Sequence, residues 1–468
     1  MRTKRALPAL LATTLLIGAV IGAAPATARS ATPGASGGGD SYFPRQGNGG
    51  YRVAHYHLGI GYTPSTHRLT GRTHIIARAT QALSRFDLDL RRNLVVSSVR
   101  VDGKTAKFSQ PASLVQELVI TPPKALRTNQ YFTIDVVYAG TVHHITDPDG
   151  SPDGFITTPD GAFVASEPQG SPTWFPVNDM PSDKATYSVT ATVPQGTTVV
   201  SNGAYLGKTH ANGKTTWRWR LSQPVSSYLV TATIGKFDVR TGRTPGGVPY
   251  FIAVDPSQRV AADPVLRKLP AIVDYFSKVY GKYPFGQAGA IVDDAPSVGY
   301  ALETATRPVF DRAPDIATLS HELAHQWYGD DVTLHRWRSI WLNEGFAEFS
   351  SWLWDEHSGG KTAARHLRDL MANPASDTAE WLPPPARPGD AAHIFSGSVY
   401  DRGAGALEAL RQKVGSPTFF AIMRGWVRAH AYGVASVGQF RAYAAKVSHR
   451  NLDHFFYEWL LKYGKPTV

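Results

Sequence analysis

The sequence predicts a multidomain α+β protein, with an antiparallel β sandwich or saddle first and an α-rich domain after it. Three observations lead there. At 468 residues the chain exceeds one ordinary core. From about residue 49 to 240, short apolar runs alternate with polar positions at period two, and turn-forming pairs separate them. Beyond Gly242 the apolar positions recur at helical spacing. The boundary between the two halves is therefore placed near 240, to within about ten residues.

Taken in order, the chain begins with a targeting segment. Met1 to Arg5 is basic, Ala6 to Ala24 is apolar, and Ala26-Thr27-Ala28 is an A-x-A cleavage signal. Pro8 and Gly18 interrupt the apolar run, which favours a removed signal peptide (1–28) over a retained anchor. The mature chain is then expected to be soluble and exported, since no other apolar run of ~18 residues follows. Residues 29–48 read as a flexible Gly/Ser-rich leader.

The β domain is assigned to 49–240. Ala54, Tyr56, Leu58, Ile60 and Tyr62 form an alternating inward row, and so do Phe132, Ile134, Val136 and Tyr138. Asp102-Gly103 and Asn212-Gly213 are two-residue hairpin signals. Tyr228 to Phe237 is a further apolar run.

The second domain, 241–468, opens with Asp263-Pro264 as N-cap and first helical residue. Leu266, Leu269, Val273 and Phe276 follow at helical period, with a kink expected at Pro270 and an end at Gly281. Ile316, Leu319, Leu323 and Trp327 mark the apolar face of another helix, with Asp315 in its first turn. Phe346, Phe349 and Leu353 mark the next. Helical segments then run from Gly403 to the end, broken at Gly415-Ser416-Pro417.

The chemistry sits on those two central helices. His321 and His325 are four apart in H-E-L-A-H, so one helix face can present both imidazoles to one metal ion. Eighteen residues separate His325 from Glu344, a natural third ligand for a catalytic zinc. Glu322, beside the first ligand, can take a proton from the zinc-bound water. A metzincin site would need Gly and His where Tyr328 and Asp331 stand, so that class is excluded. His335 is a spare, read as structural or exposed. Glu348, one turn after Glu344, either holds the outer nitrogen of a zinc histidine or is a solvated helix residue. A zinc-dependent peptidase carrying one ion per chain is expected.

At this point the chain resembles the aminopeptidase N family of zinc metallopeptidases, from about Gly49 to the C-terminus. The matching stretches are His321 to Gly329 (HELAHQWYG), Trp341 to Ala347 (WLNEGFA) and Val399 to Ala404 (VYDRGA), with Ser166 to Gly170 and Trp174 to Asp179 in the β half. The resemblance implies a thermolysin-like catalytic domain. It also implies that Glu303 and Glu167 bind the free amino terminus of a peptide, and that Tyr400 stabilises the oxyanion. Around Glu303, Tyr300 and Thr304 replace the Gly and Asn of the family's G-A-M-E-N motif, and Ala165 replaces a common glutamine. These departures bear on substrate preference. Many relatives continue into a large helical C-terminal domain, and its absence after Val468 suggests an open cleft. A free ammonium is well recognised by desolvated carboxylates, which makes an exopeptidase the leading expectation. The rivals are a zinc endopeptidase and an inactive extracellular zinc-binding protein.

Composition narrows the partners. The absence of cysteine rules out disulfides, thiolate ligands and cysteine nucleophiles. The net charge of +11 falls to +8 without Arg2, Lys4 and Arg5, and no basic–aromatic stripe remains. Peptides with a free amino terminus are the expected partners, without nucleic acid or stable membrane insertion.

Overall fold

The computed structural model describes residues 30–374 and 378–467. The segment read as a signal peptide lies outside them. No helix among the described residues is long and apolar enough to cross a membrane.

The first half is built on an eight-stranded sheet. Its order is 204–211, 214–225, 185–194, 51–63, 68–79, 131–141, 94–101 and 104–105. All neighbours run antiparallel except Ala185–Pro194 beside Tyr51–Thr63, which pair parallel. The two hairpin signals form as expected. Asp102 and Gly103 have φ of 49° and 72°, Asn212 and Gly213 have 51° and 69°, and each pair joins adjacent strands. The inward row on Tyr51–Thr63 differs from expectation at one place. Tyr56, Leu58, Ile60 and Tyr62 are buried, but Val53 is buried in place of the exposed Ala54. A bulge between Val53 and His55 inserts one residue and shifts the phase of the strand.

Against this sheet lie a four-stranded and a five-stranded sheet. The five-stranded one contains Pro152–Thr157 and Ala162–Ala165, and the latter leads directly into Glu167.

Residues 31–48 are not a loose leader. Asp40 accepts from the Trp337 backbone N–H at 2.8 Å, and Arg336 donates to the Gly38 carbonyl. Gln46 donates to the Pro168 carbonyl and accepts from the Trp337 indole N–H. Asn48 bonds Asn178 and Asp89. The small residues that suggest flexibility are there for fit: a Cβ on Gly38 would meet Met180 at 2.6 Å. The segment is a strap joining the β half to the metal-site half.

The second half opens with a mixed sheet that the helical texture concealed. Pro249–Val254 and Ala288–Val292 pair parallel, and short strands Val309–Phe310 and Ala301–Leu302 follow on one edge. Arg259–Leu266 and Leu269–Tyr280 cross between the two parallel strands. Asp263-Pro264 therefore lies inside the first helix and not at its start. Pro270 occupies the first turn of the second helix, where its missing N–H costs nothing. Gly281, at φ 112°, ends that helix.

Helices Trp341–His357 and Gly397–Val414 cross with their backbones in contact. A Cβ on Gly345 would lie 3.1 Å from the Gly403 carbonyl carbon, and one on Gly403 would lie 3.1 Å from the Gly345 Cα. Trp341 donates its indole N–H to the Gly403 carbonyl at 3.1 Å across the same crossing. This close approach sets Glu344 and Tyr400 beside one another.

Candidate metal centre and peptide site

Helix Ile316–Ala324 is capped by Asp315, whose carboxylate accepts from Thr318 N–H at 2.7 Å. Asp315 is thus the cap itself and not a first-turn residue. His325 still has helical φ and ψ, so both imidazoles project from one face with ring centroids 4.8 Å apart. The Nε2 atoms of His321 and His325 lie 3.3 and 3.4 Å from Glu344 Oε2. Bonds of ~2.0–2.1 Å from one tetrahedral ion would place neighbouring ligand atoms about 3.4 Å apart. The three side chains therefore fit a single zinc, and the donor set of two imidazoles and a carboxylate suits it.

The outer nitrogens are also held. His321 Nδ1 faces Glu348 Oε2 at 3.2 Å, and His325 Nδ1 faces the Tyr328 carbonyl at 3.0 Å. Of the two readings of Glu348, the structure gives the histidine-holding one. Its other oxygen accepts from the Trp352 indole at 2.8 Å, which fixes the carboxylate. His335, by contrast, is exposed and apart from the metal-binding cluster.

Around the triad three more acids converge. Ligand atoms of Glu303, Glu322 and His325 lie within 4.8 Å of one another, and so do those of Glu167, Glu303 and Glu344. Glu167 Oε1, Glu303 Oε1 and Glu322 Oε2 are buried without a hydrogen-bond partner. Buried acceptors without donors are costly, so these oxygens are built for groups the protein does not itself supply. Burial pushes Glu303 up to about 7 and also raises Glu322. Glu167 is raised by burial and by the charge of Glu303. Burial opposes ionisation of Glu344 too, but His325 and His321 hold it down at about 2.

Tyr400 stacks its ring beside His321, with centroids 5.8 Å apart and planes 24° apart. Burial, and after it the charge of Glu344, holds its phenol well above 10, so it remains a donor. Beside Tyr400 and Glu167 opens a cavity of about 220 Å³, walled by Tyr300, Leu302 and Phe395.

All seven sequence-predicted residues thus meet in one place. Others carry no recognisable local signal. Gln326 Nε2 donates to the Glu303 carbonyl at 3.3 Å and Oε1 accepts from Thr306 N–H at 2.7 Å, so the metal helix holds the Glu303 loop. Asn343 donates to the Tyr228 hydroxyl at 3.1 Å, tying the β half to the residue before Glu344. Lys184 buries its ammonium against the carbonyls of Asp330 and Asp331 at 2.8 and 2.7 Å. Only the adjacency of Gln326 to His325 and of Asn343 to Glu344 pointed toward any of these.

Comparison with known proteins agrees with this geometry. Residues 302–459 match the family model described as the Peptidase family M1 domain, and residues 53–229 match the Peptidase M1 N-terminal domain. The chain is 28% identical over 321 residues to aminopeptidase M1-D of Oryza sativa subsp. japonica, covering 63% of this chain and 36% of that protein. It is 26% identical over 334 residues to glutamyl aminopeptidase of Bos taurus, covering 66% and 34%. The chain thus spans about a third of the length of the curated relatives it matches. The crystal structure of an M1 zinc metallopeptidase from Deinococcus radiodurans superposes with a TM-score of 0.84 at 29% identity, covering 92% of this chain and 97% of that one. A mutant of that enzyme was crystallised with a Tyr-Ser-Ala substrate.

Proposed function

The chain belongs to the peptidase M1 family, and from that premise we propose that it is a zinc-dependent aminopeptidase removing residues from the free amino terminus of peptides. The observation that carries this reading is the pair of unpartnered carboxylate oxygens, Glu167 Oε1 and Glu303 Oε1, beside the His321–His325–Glu344 cluster. A terminal ammonium satisfies both through charge-assisted hydrogen bonds. An endopeptidase, which admits chain on both sides of the cut, has no use for them.

His321, His325 and Glu344 would hold the zinc, which would supply Lewis acidity to the scissile carbonyl and the attacking water. Glu167 and Glu303 orient the first residue by its ammonium, which selects the bond one residue in. Glu322 Oε2 takes the proton of the attacking water and passes it to the departing amine nitrogen. The Tyr400 hydroxyl donates to the oxygen on which negative charge develops. Glu348 and the Tyr328 carbonyl fix which nitrogen of each imidazole faces the metal.

Export is part of the same proposal. Basic residues 1–5, the apolar stretch 6–24 and Ala26-Thr27-Ala28 support a secreted protein whose partners are extracellular peptides.

The deciding experiment compares a peptide with its N-acetylated form. The free peptide is expected to lose its first residue, with turnover abolished by a chelator and by Glu322→Gln. Internal cleavage of the acetylated peptide at a comparable rate would overturn the reading.

A further inference from the structure

The 220 Å³ cavity has a chemical character that the zinc cluster does not explain. Among its lining residues Glu167 is buried and Asp149 is exposed to solvent, so the two acids mark its inner and outer ends. It is smaller than the ~300–1,000 Å³ of sites for drug-sized ligands, so it suits one side chain. Among the described residues, no lysine, arginine or histidine lines it.

The wall is fixed by one hydrogen bond between the two halves. Tyr300 donates its hydroxyl to the Pro152 carbonyl at 2.7 Å, holding the 147–152 turn beside strand Ala301–Leu302, which leads into Glu303. Within the turn, Asp149 Oδ1 accepts from Ser151 N–H and Oγ–H at 2.9 and 2.7 Å. The carboxylate is therefore pre-oriented at the rim. Among the described residues, no cationic side chain forms an ion pair with it. Asp147 and Asp153 stand behind the same turn, near the Tyr300 phenol. The cavity thus has Leu302 and Phe395 in its wall together with an amine-binding acid and a second acid without an ion-pair partner.

We propose that this cavity receives the side chain of the substrate's first residue and that Asp149 selects a cationic one, lysine or arginine. The inference rests on the aminopeptidase reading, because Glu167 must hold the α-ammonium for the side chain to enter here. The aliphatic stem lies along Tyr300, Leu302 and Phe395, and the cationic head reaches the rim where water still solvates it. Here Tyr300 and Asp149 together make a lined, charged slot.

The test uses the full mature chain with arginyl, citrullinyl, lysyl, norleucyl and glutamyl arylamides. Citrulline and norleucine reproduce the length of arginine and lysine without the charge. The expected result is a kcat/KM for arginyl over citrullinyl, and for lysyl over norleucyl, on the order of fivefold or more, carried mainly by KM. Asp149→Asn, which keeps the turn's acceptor, is expected to shrink both ratios toward one. Asp149→Lys is expected to raise glutamyl turnover relative to lysyl. Equal turnover of charged and neutral partners, or ratios unmoved by Asp149→Asn, would overturn this inference alone. Hydrolysis of none of the five would overturn the aminopeptidase reading and this inference with it.

Discussion

Glu348 Oε2 lies 3.2 Å from Nδ1 of His321, on the opposite side of the ring from the Nε2 that faces Glu344. One imidazole is thus gripped from both ends, and its tautomer is fixed by a carboxylate that does not face the metal position. Glu348→Ala is expected to weaken zinc affinity about 10- to 100-fold. Chelator competition measures this, and activity should return at high added zinc. Unchanged affinity would show that the contact has no bearing on the metal.

Tyr400 lies one turn before Gly403, where its helix crosses Trp341–His357. Tyr400→Phe keeps the ring beside His321 and removes only the donor. The expected outcome is a fall in kcat of roughly 10²- to 10³-fold with KM little changed. A loss confined to KM would move Tyr400 from oxyanion stabilisation to ground-state binding.

Asp183 gives a pH dependence away from the metal. Burial pushes its carboxyl up to about 7, against the opposing charge of Arg52. The folded protein therefore keeps this proton up to about pH 7, whereas the unfolded chain releases it near its ordinary value of 3.8. Folding binds the extra proton, so this group's contribution is fully favourable below about pH 4 and is lost as pH rises through 7. Asp183→Asn is expected to flatten the fall in Tm between pH 4 and 7. A steeper slope in the variant would contradict the sign.

Gln46 belongs to the strap and bonds the Pro168 carbonyl, next to Glu167. Gln46→Ala leaves the buried Trp337 indole N–H without its acceptor, at about 1–3 kcal/mol. The variant is expected to melt lower and to show a raised KM for free-amine substrates with kcat less affected. A lowered Tm with unchanged KM would reduce the strap to a stabilising element.

Much of this was legible because local chemistry and tertiary role coincide. The spacing of His321, His325 and Glu344 reflects helix geometry, and the hairpin pairs Asp102-Gly103 and Asn212-Gly213 reflect backbone sterics. The phase change at Ala54 is invisible in the sequence because a bulge is a pairing event, decided by the partner strand. The sheet containing Pro249–Val254 was hidden because a fully buried parallel strand has no alternation to reveal it. The strap was misread because Gly38 and its neighbours look flexible in isolation. Their partners, Met180 and Trp337, are more than a hundred residues away. Gln326 and Lys184 give no signal for the same reason: they donate mainly to backbone carbonyls, which leave no trace in a side-chain pattern.

The bond between Asp40 and Trp337 closes a span of 297 positions. Such a contact joins segments that local chain geometry cannot bring together, so it forms only in the context of the whole fold. The metal triad, by contrast, lies within Ile316–His357 and its two helices pack directly. The three metal-facing side chains thus depend on near neighbours in the chain, whereas the wall bearing Glu167 is tied to them by contacts from far along it. Cutting the strap would leave the blade in place and loosen its ruler.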